Sequence, residues 1–299
     1  MVKAVIHSRR VARNDAGRVP ARTLYLLSDK RIMLAVMYAD DWAAWHATHE
    51  RRLADPHGFL AITSLNFLTA APRRFPDAPG EWSTGPGGVT VDLADGETLT
   101  VGGETVTGTY RFGVLGERTS TNAGFGDAVV EVAKRGGFDI VRPRHPSHPL
   151  RAQFRGVPAY EPDEKWVLTG RFVPFDKPRD VTVGAAVEGL EHVYESPGRI
   201  EFEVRGEPLA LTVFNGFTPG SLMALFTDET SGVTTYGKNR SLTVAPPAAD
   251  GQVTVDFNHA TNLVCAYTDF ATCPLPPAEN RLPVAVEAGE KIPYERAGS

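Results

Sequence analysis

Residues 88–114, GVTVDLADGETLTVGGETVTGTYRFGV, set Val, Leu, Tyr and Phe at alternate positions with polar residues between them. Successive side chains of a strand point to opposite faces, so this period of two predicts strands with one dry face and one wet face. Asp95-Gly96 and Gly102-Gly103 break the alternation with tight-hairpin signals, which makes the segment an antiparallel meander. The same texture returns after residue 163 in KWVLTGRFVPF, RDVTVGAAV, GRIEFEVRG, PLALTVFNG, LMALFTDETSGVTTYG, QVTVDFN and RLPVAVEAGE, with no long helical pattern between them. A chain of short alternating runs folds as a mainly β protein, here an antiparallel β-sandwich or partly closed barrel.

One stretch follows a different period. In DDWAAWHATHERRLADPHG, from Asp40, residues Trp42, Trp45, His49 and Leu53 recur every three or four positions, and Pro56 with Gly58 stops the pattern. This predicts a single N-terminal helix capped by Asp40 or Asp41, with its aromatic stripe packed against the main body. His46 and Glu50 stand four apart on one face, yet two donors without a third do not define a metal site. FLAITSLNFL (59–68) is a buried run of strand length or a short buried helix, because periodicity alone does not distinguish them.

The expected organisation has four parts. Residues 1–36 form a basic extension, with eight Lys/Arg against Asp15 and Asp29, or +6, whereas the remaining 23 Lys/Arg and 34 Asp/Glu give −11. Residues 40–142 form the helix and meander half, 143–162 a proline-rich connection, and 163–299 the C-terminal β half. Met33 or Met37 is the expected natural start, which leaves the basic stretch outside the native protein. The net charge of −5 disfavours a nucleic-acid partner. The apolar run Ile32–Ala39 is too short to span a membrane. With no convincing signal, the expected compartment is the cytoplasm; the sequence does not fix an oligomeric state.

The chain holds two cysteines, Cys265 and Cys273. A disulfide, a zinc site with His259, a nucleophile with His259 as base, and a pair of small buried hydrophobes all remain open, with the buried corner favoured because free cysteine is among the most buried residue types. No metal or cofactor is expected. Polar residues concentrate between 228 and 280 inside strand texture, where they either satisfy one another or face a pocket. Tyr236, Arg240, Asp256, Asn258 and Asn280 are the candidate ligand-binding set. Arg240 is the expected anchor for an anion and Tyr236 an orienting group or acid. Alternatively Arg240 pairs with Asp256 or Asp228 and the cluster is structural.

WHATHERRLADPHGFLAITSLNFL, GRIEFEVRG, LFTDETSGVTTYGKNRSL and VDFNHATNLVCAYTDFATCPLPPAENRLPVAVEAGEK together resemble the DUF1684 family of bacterial proteins of unknown function, over about residues 40–291. The family motif maps onto Thr230, Ser231, Gly232, Thr235, Tyr236, Gly237 and Arg240, then Asp256, Phe257, Asn258, Asn262, Cys265, Cys273, Pro274, Pro277, Asn280 and Gly289. Ala260-Thr261-Asn262-Leu263-Val264-Cys265 departs from the family's Ala-Tyr-Asn-Pro-Pro-Cys, and Phe59 replaces its usual Trp. The resemblance names no reaction. Two functions are therefore expected: a small-molecule-binding protein or enzyme acting on a polar or anionic metabolite, or a non-catalytic interaction module that works through a sheet edge or the helix at 40–54.

Overall fold

The computed structural model describes residues 21–296, so the first twenty residues of the basic extension lie outside the described residues. The chain divides into two compact units, Met1–Ala43 and Ala44–Ser299. One helix, α1 (Ala21–Leu53), crosses that division. It begins well before Asp40 and Asp41, so neither caps its start: Met33, Leu34, Ala35 and Met37 are good helix formers and carry the helix through. Its end falls ahead of Pro56, as the breaker residues require.

The strands of the second unit fall into two sets. The first comprises β1 (Asn66–Phe67), β2 (Arg73–Arg74), β3 (Glu81–Gly85), β4 (Gly88–Asp92), β5 (Leu99–Val101), β6 (Glu104–Val106), β7 (Thr109–Gly113), β8 (Ser120–Phe125), β9 (Ala128–Arg135) and β10 (Phe138–Arg144). A short helix, α2 (Pro149–Ala152), follows. The second set comprises β11 (Val167–Gly184), β12 (Glu191–Val204), β13 (Glu207–Asn215), β14 (Leu222–Phe226), β15 (Arg240–Val244) and β16 (Gln252–Asp256). Every pairing between these strands is antiparallel, which agrees with the mainly β expectation.

The first set makes two sheets, ordered β1-β10-β9-β8-β5-β6 and β2-β3-β4-β7. Trp82, Val89, Val91, Val130 and Val132, all fully buried, form their shared core. The second set is one sheet, β15-β14-β13-β12-β11-β16, whose edge strands β15 and β16 approach each other. That sheet is partly closed around Trp166, Phe202, Phe226 and Phe257. β12 shows how the sequence dictates this: His192, Tyr194, Ser196, Ile200, Phe202 and Val204 point inward, while Glu191, Val193, Glu195, Arg199 and Glu203 alternate with them on the outer face or near it.

Three segments depart from the expected strands. FLAITSLNFL is a 3-10 turn at Phe59–Ala61 followed only by the two-residue β1. β14 stops at Phe226, because Asp228, Thr230, Ser231 and Thr235 close a turn of their own: Asp228 Oδ1 accepts from the Thr230 amide at 2.6 Å, and the Thr230 and Thr235 hydroxyls meet at 2.8 Å. RLPVAVEAGE is not a strand. Its bridges to other segments are isolated ones, Thr227 with Arg281 and Ala159 with Glu290. The carbonyls of Val286 and Ala288 accept hydrogen bonds from Arg240, so they are not free to continue a ladder.

One buried charge network ties β9 to β10. Glu131 is 3% exposed and pairs bidentately with Arg142, its cross-strand neighbour, at 2.8 and 3.0 Å; it also pairs with Arg144 and Arg135. Burial pushes its carboxyl up, but the Arg142 and Arg144 guanidiniums outweigh this and bring it to about 2 from an ordinary 4.5. A carboxyl with a depressed folded pKa contributes stability that is present above its unfolded value and lost as pH falls through the folded one. Urea denaturation should therefore show stability falling between pH 4.5 and about 2, and Glu131→Gln should flatten that limb while lowering stability at pH 7.

Candidate functional site

The five residues expected to bind a ligand occupy separate structural roles. Arg240, at the start of β15, is 1% exposed; it pairs with the fully buried Asp228 carboxylate and donates to the carbonyls of Val286, at 3.1 Å, and Ala288. Of the two acids expected as its partner, the structure selects Asp228. Burial pushes the guanidinium down and Asp228 holds it up. Asn280 is fully buried, accepts from the Thr212 amide at 2.8 Å and donates to the carbonyls of Thr212 and Leu225 at 2.8 and 2.7 Å. It bridges β13 and β14 where their ladder has only two paired positions.

Asn258 makes reciprocal hydrogen bonds with the backbone of Asp163, both at 3.0 Å. Asp256 caps the 3-10 turn Phe257–His259 through the Asn258 amide and holds His259 Nδ1 at 2.9 Å. The half-buried Tyr236 donates its hydroxyl to the Cys265 carbonyl at 2.8 Å, and burial pushes its phenol up, with Cys265 adding to the effect. The structure thus brings Asp256 and Asn258 into one turn and gives all five polar side chains protein partners; Arg240 Nε alone among their buried atoms has none. Two surface depressions, of about 470 and 360 Å³, lie elsewhere: Arg171, Glu201 and Gln252 help line one, Asp77, Glu97 and His145 the other.

A different group converges where α1 meets the C-terminal segment. His46 and His49 lie one turn apart on the helix, and their Nε2 atoms stand 3.8 and 3.1 Å from Glu290 Oε1. Glu290 is 1% exposed; its other oxygen accepts from the Asn262 amide at 2.6 Å. Close by, Tyr267 is 3% exposed, and burial, then the charge of Glu290, pushes its phenol well above its ordinary value. The Tyr267 hydroxyl and the Asn262 side chain face each other without completing a well-aligned hydrogen bond, and Glu290 Oε1 completes none. The 3.1 Å contact of His49 with Glu290 is an ion-pair distance at an angle that does not make one.

Local sequence places each member. Gly289, at φ +73°, lets the segment pass so close to the 257–260 turn that a Cβ there would stand 2.5 Å from the Ala260 carbonyl. The Glu290 amide then bonds to Ala260 and that of Lys291 to Pro158, which fixes the Glu290 carboxylate. On the helix, Glu50 Oε1 accepts from the Val157 amide at 2.7 Å, across Gly156 at φ +93°. The Trp45 ring lies parallel to His49 at 5.9 Å and edge-on to His259 at 4.3 Å. The aromatic stripe does pack against the body, and in doing so it orients a histidine. Among the described residues, no group of three or more His, Cys, Asp or Glu side chains is arranged to hold a metal ion.

The cluster reaches solvent along the helix, where the His49 and Glu50 side chains are 23% and 30% exposed. Its chemistry is acid–base: an imidazole against a buried carboxylate, beside a phenol that stays protonated at neutral pH. Glu50, Glu290 and Glu295 all act electrostatically on Tyr267, so the surroundings are acidic. The sequence contained the His46–His49 spacing and the block around Glu290, but nothing in it paired the two.

Cys265 and Cys273 are free thiols, 4% and 8% exposed, in one small cluster with Ala271. Among the described residues no helix is long and apolar enough to cross a membrane.

The Asp228–Arg240 pair yields a direct test. Removing one partner leaves the other charge buried and uncompensated, so Arg240→Met should cost about 3–5 kcal/mol in urea denaturation. Arg240→Met combined with Asp228→Leu should recover part of that loss.

Residues 152–291 match the model of a family described as a protein of unknown function (DUF1684), a narrower span than the sequence resemblance. Tyr267 and Glu290 lie inside this match; His46 and His49 lie before it. No curated protein matches the chain. Among solved structures, it is similar to the solution NMR structure of an uncharacterized protein of Haloarcula marismortui, at 29% sequence identity and a TM-score of 0.40, over 47% of this chain and 78% of that one.

Proposed function

With residues 152–291 a DUF1684 region, we propose that this protein binds a small polar metabolite in the recess between α1 and the C-terminal segment and acts on it by proton transfer. The observation that carries this reading is the buried Tyr267 hydroxyl, which faces the Asn262 side chain without completing a well-aligned hydrogen bond and sits near a Glu290 oxygen that completes none. A buried hydroxyl left unsatisfied costs about 1–3 kcal/mol. Such a group calls for an explanation, and a ligand that completes its hydrogen bonding is the one this reading offers. Tyr267 donates its O–H to the ligand, Glu290 orients His49, and His49, on the open side, exchanges the proton.

The five residues first expected to bind serve as struts that hold this recess in place. Arg240 carries its charge internally, so an anionic ligand loses its anchor there; the surrounding carboxylates favour a hydroxylated or cationic metabolite. The reading as an interaction module rests on the exposed outer faces alone.

The test is a thermal-shift screen of polyols, sugars, amines and amino acids against wild type, Tyr267→Phe and His49→Gln. Tyr267→Phe without ligand should be about 1 kcal/mol more stable than wild type, because it removes an unsatisfied buried hydroxyl. A compound that raises the wild-type Tm should lose that effect in Tyr267→Phe. Destabilisation by Tyr267→Phe, or a wild type that no compound shifts, would count against the site.

A further inference from the structure

The chain's two cysteines meet. The Cys265 amide donates to Cys273 Sγ at 3.3 Å, and the Cys265 thiol contacts Asn239 Oδ1 at 3.6 Å. Asn239 is fully buried and its amide nitrogen is held by the Pro274 carbonyl at 2.6 Å, so it fixes the direction in which the Cys265 thiol points. The Cys265 carbonyl is in turn gripped by Tyr236. An amide hydrogen bond from one cysteine to the sulfur of the other places that sulfur against its partner residue, the proximity that a disulfide requires.

The two thiols are not equivalent. A hydrogen bond from Cys273, then Tyr236 and the charge of Lys238, bring Cys265 down against the effect of burial, while the same pairing and burial push Cys273 well up. The Cys273 sulfur in turn accepts the Cys265 amide, so each cysteine acts directly on the other.

We propose that Cys265 and Cys273 form an oxidisable dithiol, with a hydroperoxide as oxidant. The thiolate of one cysteine attacks the peroxide O–O bond and becomes a sulfenic acid, and the peroxide leaves as an alcohol, or as water when it is hydrogen peroxide. The sulfur of the other cysteine then displaces water from that sulfenic acid to give the disulfide; two thiols are oxidised and one peroxide is reduced. Cys265 lies in the 3-10 turn Val264–Ala266, which leads directly into Tyr267. Closing the bridge gives the turn a new covalent tether and repositions the phenol. The chemistry itself is independent of the function proposed for the recess.

Reduced full-length protein treated with hydrogen peroxide, then unfolded and alkylated with iodoacetamide, tests this by intact mass and peptide mapping. Wild type should lose the mass of two hydrogens and both alkylation sites, with 265 and 273 joined. One of the two variants Cys273→Ser and Cys265→Ser should accumulate a dimedone-reactive sulfenic acid at its remaining cysteine, which identifies the attacking thiol. Circular dichroism confirms that each variant is folded; Cys273→Ala replaces the serine variant if it is not. Two alkylatable thiols after peroxide treatment of the folded wild type, or sulfinic acid without a bridge, would overturn the proposal.

Discussion

The C-terminal half depends on one buried ion pair. Arg240 at the head of β15 reaches Asp228 in the preceding turn, and its terminal guanidinium nitrogens also donate to the carbonyls of Val286 and Ala288. The charges are removed from water, so they are tolerable only because they are paired and hydrogen-bonded. That demand fixes where the last segment of the chain runs. Three residues beyond Val286, Gly289 turns the backbone against Ala260, and Glu290 arrives facing the helix. A structural arginine thus sets the position of a carboxylate it never touches.

The same logic explains why the polar signature does not form one hollow. Asn280 replaces missing ladder bonds between β13 and β14, and Asn258 clamps the loop at Asp163. Each solves a local shortage of backbone partners. By contrast, Tyr267 and Glu290 retain buried polar atoms without well-aligned hydrogen bonds, in a cluster that reaches solvent at His49. The distinction between strut and site lies in the bookkeeping of donors and acceptors, not in residue type.

Much of the architecture was legible from local pattern. Alternation along β12 and the glycine-marked hairpins needed only the geometry of a strand and a turn. The failures share a cause. Asp40 and Asp41 resemble helix caps, but the helix-forming residues before them extend α1 past both. RLPVAVEAGE has strand texture, yet its carbonyls are claimed by a guanidinium from another element.

The sequence by itself determined the β class, the strand faces and the N-terminal helix with its aromatic stripe, and left Arg240 open between an anion anchor and an ion pair. Only the tertiary structure decided that this partner is Asp228, that Cys265 and Cys273 touch, and that His49 meets Glu290. Alternation and breaker residues act over a few positions and are therefore written locally, whereas the partner of a buried polar atom is whatever the completed fold brings within about 3 Å of it.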